Sequence, residues 1–139
     1  MKNKDNIKIL VIEDEATLLN AIEKKLANSG IEAVSCLTAA EAVKSLEGGD
    51  LPDAIWLDYY LPDVNGIEFM SLLKKNPFWS HIPVVVVSNS ASSQKKSAML
   101  ALGAKEYFLK AEHKLEDIIA TIIGIVEKSK GEVYNDFAN

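Results

Sequence analysis

The feature that most constrains the fold of this chain is a regular alternation of short apolar runs with segments of helical spacing. The five runs with strand character cover residues 7–12, 31–36, 54–58, 83–87 and 105–109, and helical spacing follows each of them. Strands that alternate with helices predict a parallel sheet with right-handed crossovers and helices on both faces. The valines from residue 84 to 87 are typical of a central strand that is buried on both sides. We therefore predict an α/β fold with a doubly wound, five-stranded parallel sheet.

Capping and stop residues set the expected ends of the helices. Thr38 is predicted to cap the second helix, and Glu41, three residues later, to complete a capping box. The third helix is expected to stop before Pro77, because the proline ring cannot continue a helix. The fourth helix, which is poor in large apolar residues, is expected to end at Gly103.

The length of the chain predicts one domain. A chain of 139 residues buries enough surface to fold without disulfides or structural metals. No repeat or linker-like segment interrupts the alternation of strands and helices. We expect residues 1–130 to form the domain and residues 131–139 to be a C-terminal tail, to which the sequence assigns no structure.

The charged residues and the single cysteine narrow the class of protein. All fifteen Lys and Arg residues are lysine and the net charge is −5, a composition that disfavours nucleic-acid binding by this domain. No apolar run reaches the length of a membrane span, and the N-terminus lacks the apolar core of a signal peptide. Cys36 has no second cysteine to pair with, which fits a reducing compartment. We therefore predict a cytoplasmic protein without membrane contact.

Ionisable and hydroxyl side chains stand where four of the predicted strands end. Glu13 and Asp14 follow the first strand, Asp58 closes the third, Ser88 follows the fourth and Lys110 follows the fifth. The carboxyl ends of parallel strands meet at one edge of the sheet, which is where open α/β sheets bind their ligands. The sequence therefore predicts that these side chains form one site.

The residue types of this site fit phosphoryl chemistry. Clustered carboxylates repel one another and require a cation, and hard oxygen ligands point to Mg²⁺. An ionised Asp58 can attack phosphorus and form an acyl phosphate. Lys110 can offer a positive charge, and Ser88 a hydroxyl, to the oxygens of the transferred group. Asp58 is therefore predicted to accept a phosphoryl group.

In the order and spacing of these residues the chain resembles the receiver domain of response regulators, of the chemotaxis-regulator type, in bacterial two-component signalling. The resemblance covers about residues 7–128. It depends on these motifs: Glu13-Asp14, Asp58 with Leu61-Pro62-Asp63-Val64-Asn65-Gly66, Ser88, and Lys110. The resemblance implies a flavodoxin-like sheet with the strand order 2-1-3-4-5.

The resemblance also implies a role for each residue of the site. Asp58 would be phosphorylated by a histidine kinase or by a histidine phosphotransfer protein. Asp14, Asp58 and the backbone carbonyl of Tyr60 would bind Mg²⁺, and Glu13 would act directly or through water. The domain would catalyse its own phosphorylation and a slow dephosphorylation, and it is not otherwise expected to be an enzyme.

Signal output follows from the same resemblance. Tyr107 matches the switch aromatic of the family, which turns inward when the Ser88 hydroxyl engages the phosphoryl group. The surface of helix four, strand five and helix five would then control a partner, relay phosphate or form a homodimer, and the sequence does not indicate which effector it binds. An apolar stripe on helix five, which includes Ile123 and Ile125, is either part of such a face or buried by the sheet and the tail.

Three positions depart from the usual pattern of the family. Ala111 takes the place of the proline that usually follows the lysine, and Asn89 takes the place of a small residue after the strand-four hydroxyl. These two departures leave open an alternative function, a docking module that keeps the fold but does not cycle phosphate. The third departure is the bulky Tyr60, which we predict to shield the acyl phosphate from in-line water and to slow its hydrolysis.

Overall fold

The strands and helices alternate along the chain as the sequence predicts. The computed structural model describes residues 7–138, and describes side chains for residues 7–131. The elements are β1 (Lys8–Ile12), α1 (Ala16–Asn28), β2 (Glu32–Cys36), α2 (Ala39–Glu47), β3 (Ala54–Asp58), α3 (Gly66–Lys75), β4 (Val84–Ser88), α4 (Ser93–Ala101), β5 (Glu106–Leu109) and α5 (Leu115–Ala138). The five strands form one parallel sheet in the order β2-β1-β3-β4-β5. The predicted fold class and strand order are confirmed.

The two faces of the sheet carry separate apolar cores. Successive side chains of a strand point to opposite faces, so Ile55 and Leu57 of β3 pack in one core and Trp56 in the other. Helices α2, α3 and α4 cover the first core, and helices α1 and α5 cover the second. All five residues of β3 are buried, as a central strand of a doubly covered sheet requires.

Two helix starts differ in how fully they are capped. The Thr38 hydroxyl accepts a hydrogen bond from the backbone N–H of Glu41 at 3.1 Å. The Glu41 carboxylate accepts from Leu37 N–H at 2.7 Å, so the predicted capping box forms only in its first half. A reciprocal capping box is present at α3 instead. There Asn65 and Glu68 each accept from the backbone N–H of the other, at 2.9 and 3.0 Å.

Helix α5 extends beyond the boundary that the sequence suggested. It continues to Ala138, so the segment expected to be a tail from residue 131 is helical up to that residue. Ile118, Ile122 and Val126 are buried against the sheet, and Ile123 and Ile125 are partly buried and pack against the same core. The apolar stripe of α5 is thus largely covered within the domain.

Across the part of the chain that the structure describes, no helix combines the length and apolarity needed to cross a membrane.

Candidate functional site

The carboxyl edge of the sheet brings the predicted site residues of β1, β3 and β5 into contact. Lys110 Nζ lies 3.0 Å from Glu13 Oε1 and 3.4 Å from Asp58 Oδ2. Glu13 and Asp58 are buried, at 0% and 4% exposure, and Asp14 beside them is exposed. The strand order explains the convergence, because β1 and β3 are neighbours and Lys110 reaches across from the far edge of the sheet.

Backbone hydrogen bonds hold the strand ends that carry these side chains. Glu13 N–H donates to Cys36 O at 3.0 Å, which ties the end of β1 to β2. Lys110 N–H donates to Ser88 O at 2.8 Å, which ties the end of β5 to β4. Each charged group therefore extends from a backbone that the sheet itself fixes, and the site is preorganised.

Three acidic side chains form a set that fits a divalent cation. Glu13, Asp14 and Asp58 each offer a carboxylate oxygen, and these oxygens all lie within 4.8 Å of one another. Glu13 Oε1 is buried and accepts no aligned hydrogen bond, although the Lys110 ammonium is close to it. Hard carboxylate oxygens with one solvent-facing side match the preference of Mg²⁺, which retains several waters. The donor set therefore fits the predicted metal.

The surroundings of the site shift the pKa values of Asp58 and Lys110. Burial and the negative charge of Glu13 raise the pKa of Asp58 to about 7, against the opposing effects of Lys110 and the Tyr60 N–H. Burial alone would lower the pKa of Lys110, but the charges of Asp58 and Glu13 outweigh it and raise that pKa. A cation between the carboxylates would favour the ionised, nucleophilic form of Asp58.

Ser88 and Tyr107 are linked through the segment that follows β4. Ser88 Oγ accepts a hydrogen bond from Ser90 N–H at 3.0 Å, which leaves the hydroxyl proton available for donation. The Tyr107 hydroxyl donates to Ser90 O at 3.2 Å, and the Tyr107 ring is buried. Ser90 therefore connects the buried Tyr107, the expected switch aromatic, to the Ser88 hydroxyl.

The loop between β3 and α3 is anchored at the end of β3 and at the start of α2. Tyr60 N–H donates to Asp58 Oδ1 at 3.2 Å. Asp63 Oδ1 accepts from Ala39 N–H at 3.1 Å and Asp63 Oδ2 from Ala40 N–H at 2.9 Å, so this residue caps α2 from a distant part of the sequence. Burial raises the pKa of Asp63, but the hydrogen bonds from backbone N–H groups outweigh this effect and lower that pKa. The sequence left Asp63 without a role, because a cap of this kind depends on the tertiary fold.

An unpredicted residue, Lys95 of α4, lies over two aromatic rings beside the site. Its ammonium is 5.8 Å from the centre of the Tyr59 ring and 5.7 Å from that of Tyr60, and the two rings meet edge to face at 4.9 Å. Interaction with Lys95 lowers the pKa of Tyr60, and interaction with Tyr60 raises that of Lys95. The Tyr60 ring is 48% exposed. Only the fold brings α4 to this loop, so residue spacing gave no signal for the contact.

The other two departures from the family pattern leave the strand ends intact. Asn89 is exposed, and the Lys110–Ala111 peptide bond is trans. Neither residue displaces Ser88 or Lys110, whose backbones are joined by the hydrogen bond between β4 and β5.

Comparisons with known proteins agree with the fold. The sequence model of the response regulator receiver domain matches residues 9–123. The phosphate regulon transcriptional regulatory protein PhoB of Rhizobium meliloti (strain 1021) is 30% identical over 126 residues, which are 91% of this chain and 55% of PhoB. The chain thus spans about half the length of such curated relatives.

Two solved structures extend the comparison. The phosphorylated cyanobacterial phytochrome response regulator RcpA is 29% identical with a TM-score of 0.74, and the match covers 87% of this chain and 91% of that one. The Mn²⁺-bound form of response regulator Rcp1 is 27% identical with a TM-score of 0.72, and the match covers 86% of this chain and 91% of that one.

Proposed function

This chain belongs to the response regulator receiver domain family, and on that premise we propose that Asp58 accepts a phosphoryl group from a phosphohistidine. The donor is a histidine kinase or a histidine phosphotransfer protein. The observation that carries the proposal is the placement of Asp58 at the end of β3. Its buried carboxylate lies 3.4 Å from Lys110 Nζ and belongs to an acidic cluster that fits a divalent cation.

The transfer itself is a substitution at phosphorus. One Asp58 carboxylate oxygen forms a bond to phosphorus while the bond from phosphorus to the histidine nitrogen breaks. The electron pair of that bond stays on the imidazole, which then binds a proton. The Lys110 ammonium and the Ser88 hydroxyl would stabilise the negative charge on the transferred oxygens, and a backbone hydrogen bond joins the two strand ends that carry them.

Glu13, Asp14, Asp58 and the backbone carbonyl of Tyr60 would hold Mg²⁺ at this site. When bound, the cation neutralises the carboxylates and the charge that develops on the phosphoryl oxygens. Support comes from the oxygen donors within 4.8 Å of one another and from the similarity to Rcp1, which was solved with Mn²⁺. The similarity to RcpA, which was solved in a phosphorylated form, supports Asp58 as the acceptor.

The surface of α4, β5 and α5 is the proposed output face, through which the domain controls a partner, relays phosphate or forms a homodimer. Ser90 connects this face to the site, since its N–H donates to Ser88 Oγ and its carbonyl accepts from the Tyr107 hydroxyl. A Ser88 hydroxyl that turns toward a phosphoryl group would therefore disturb the Tyr107 contact and the start of α4.

Intact-mass spectrometry after incubation with acetyl phosphate and Mg²⁺ tests the acceptor role. The wild-type chain is expected to gain one phosphoryl group and the Asp58→Asn variant none. Asp63→Asn, which changes another carboxylate on the same loop, serves as the matched control and is expected to be phosphorylated. Phosphoryl mass that survives Asp58→Asn would contradict the proposal. Absence of added mass on the wild-type chain would favour the docking module that does not cycle phosphate.

Tyr60 is proposed to slow hydrolysis of the acyl phosphate by covering it from in-line water. Its backbone N–H is bonded to Asp58, and its ring is held beside the site by Tyr59 and Lys95. Tyr60→Ala is expected to shorten the lifetime of the phosphorylated protein, followed by loss of phosphoryl mass over time. An unchanged or longer lifetime would contradict this role.

A further inference from the structure

Lys95 occupies a position that the electrostatics of its own helix disfavour. The first turn of α4 begins after the cap Ser92, contains no acidic residue and carries Lys95 and then Lys96. The N-terminus of a helix bears a partial positive charge and favours anions over cations. We therefore expect that a contact outside α4 compensates for the unfavourable position of this lysine.

The partners of Lys95 are aromatic rings rather than acids. Among the side chains that the structure describes, no carboxylate lies within ion-pair distance of Lys95. Its ammonium instead faces Tyr59 and Tyr60, at 5.8 and 5.7 Å from the ring centres. Lys110, by contrast, is already engaged by Glu13 and Asp58. Lys95 therefore brings to the site an additional positive charge that no carboxylate neutralises.

The Tyr60 ring connects this charge to the acceptor. Tyr60 N–H donates to Asp58 Oδ1 at 3.2 Å, so the backbone of this residue is fixed at the acceptor. Tyr60 is 48% exposed and its ring meets that of Tyr59 edge to face, so neighbouring side chains enclose only part of it. A cation above the ring therefore supplies a restraint that packing does not.

We propose that Lys95 is the residue that positions Tyr60, and that the two together set the lifetime of phosphorylated Asp58. The inference rests on the proposed acceptor function and adds to it a named contact from α4. Phosphorylation increases the negative charge at Asp58, which draws the Lys95 ammonium toward the site. Lys95 then holds the Tyr60 ring over the acyl phosphate and limits the approach of water.

The test measures the rate at which phosphoryl mass is lost in a set of variants. Lys95→Gln removes the charge, Lys95→Arg keeps a cation that stacks on aromatic rings, and Lys96→Gln removes the neighbouring charge of α4 as the matched control. Tyr60→Ala, alone and combined with Lys95→Gln, shows whether Lys95 acts through the ring. Thermal unfolding of every variant is recorded, and removal of a cation from the helix N-terminus is expected not to lower the melting temperature.

Lys95→Gln is expected to shorten the lifetime about two- to fivefold, the change that one exposed cation–π contact corresponds to. Lys95→Arg is expected to restore it, Lys96→Gln to leave it unchanged, and Lys95→Gln to have no further effect once Tyr60 is alanine. A Lys95→Gln lifetime equal to that of the wild type overturns the inference, as does an equal effect of this change with and without the Tyr60 ring. Either result leaves the acceptor role intact. A wild-type chain that takes up no phosphoryl group defeats the acceptor role and the inference together.

Discussion

Helices α3 and α4 cover the same face of the sheet on either side of the site, but they are held very differently. Helix α3 buries Gly66, Phe69, Met70 and Leu73, and a reciprocal capping box fixes its start. Helix α4 buries Met99 alone, and its first turn carries no acidic residue. Apolar burial is the main source of helix stability in a folded domain, so α4 is the less firmly held of the two.

The difference assigns the two helices different tasks at one site. The loop that leads into α3 carries Tyr60 and is further tied by Asp63 to the start of α2, so this side keeps the acceptor in place. The segment that leads into α4 carries Ser88 and Ser90, whose hydrogen bonds reach both the site and Tyr107. Elements that move in a switch are drawn from the less stable parts of a fold. We therefore expect α3 to act as the support and α4 as the mobile element.

The largest expected effect is a loss of stability when the buried face of α3 is truncated. Phe69→Ala removes a side chain that is 1% exposed and is expected to lower the free energy of unfolding by about 3–5 kcal/mol. Leu72→Ala on the same helix is the matched control and is expected to change it by less than about 0.5 kcal/mol, because that side chain is 42% exposed. Urea unfolding measures both. Equal effects of the two changes would show that α3 is not the anchored helix.

The next effect concerns the buried charge between the two helices. An acid with a raised pKa stabilises the fold while it is protonated, and this stabilisation is lost as the pH rises from 3.8, the ordinary value, through about 7. Ionised Asp58 therefore destabilises the metal-free domain above neutral pH. Asp58→Asn is expected to raise the free energy of unfolding at about pH 8 by about 1–2 kcal/mol after solvent screening, and by less under acidic conditions.

Two further measurements test whether the charge of Asp58 causes the stability gain of Asp58→Asn. Added Mg²⁺ is expected to reduce the gain, because a bound cation favours the ionised carboxylate of the wild-type chain. Asp14→Asn, at an exposed carboxylate, is expected to give a smaller gain than Asp58→Asn. Urea unfolding curves with and without Mg²⁺ provide the measurement. A gain that is the same at every pH would show that the charge of Asp58 is not its cause.

The smallest expected effect is a stabilisation of α4, the less firmly held helix. Ser93→Glu places an acid in the first turn of α4 and is expected to stabilise that helix by about 0.3–1 kcal/mol. Ser97→Glu, one turn further along the same helix, is the control that lacks this benefit. Hydrogen exchange of the α4 amides reports the change. If Ser93→Glu and Ser97→Glu slow exchange equally, the charge at the helix start is not what weakens α4.

The strands and the acidic edge of the sheet could be predicted from the sequence because their signals are local. Each observed strand end lies within one residue of the apolar run that predicted it. Since the carboxyl ends of parallel strands share one edge, the proximity of Glu13, Asp58 and Lys110 followed directly.

Features that depend on the meeting of distant segments could not be predicted in the same way. The Asp63 cap of α2 and the Lys95 contact with Tyr60 join parts of the chain whose proximity only the fold creates. The first half of the capping box predicted at Thr38 is present, but the second half is wrong, because the Glu41 carboxylate accepts from the N–H of Leu37 and not from that of Thr38. The box at Asn65 and Glu68 was not predicted, although an asparagine followed three residues later by a glutamate is a local signal of such a cap.

Hydrogen exchange of the phosphorylated and unphosphorylated domain tests the central claim most directly. With Asp58 phosphorylated by acetyl phosphate and Mg²⁺, we predict a change in amide exchange across residues 89–101, which include α4, and no change across α3. The Asp58→Asn variant under the same treatment should show neither change. Equal changes in both helices, or a change confined to α3, would contradict the account.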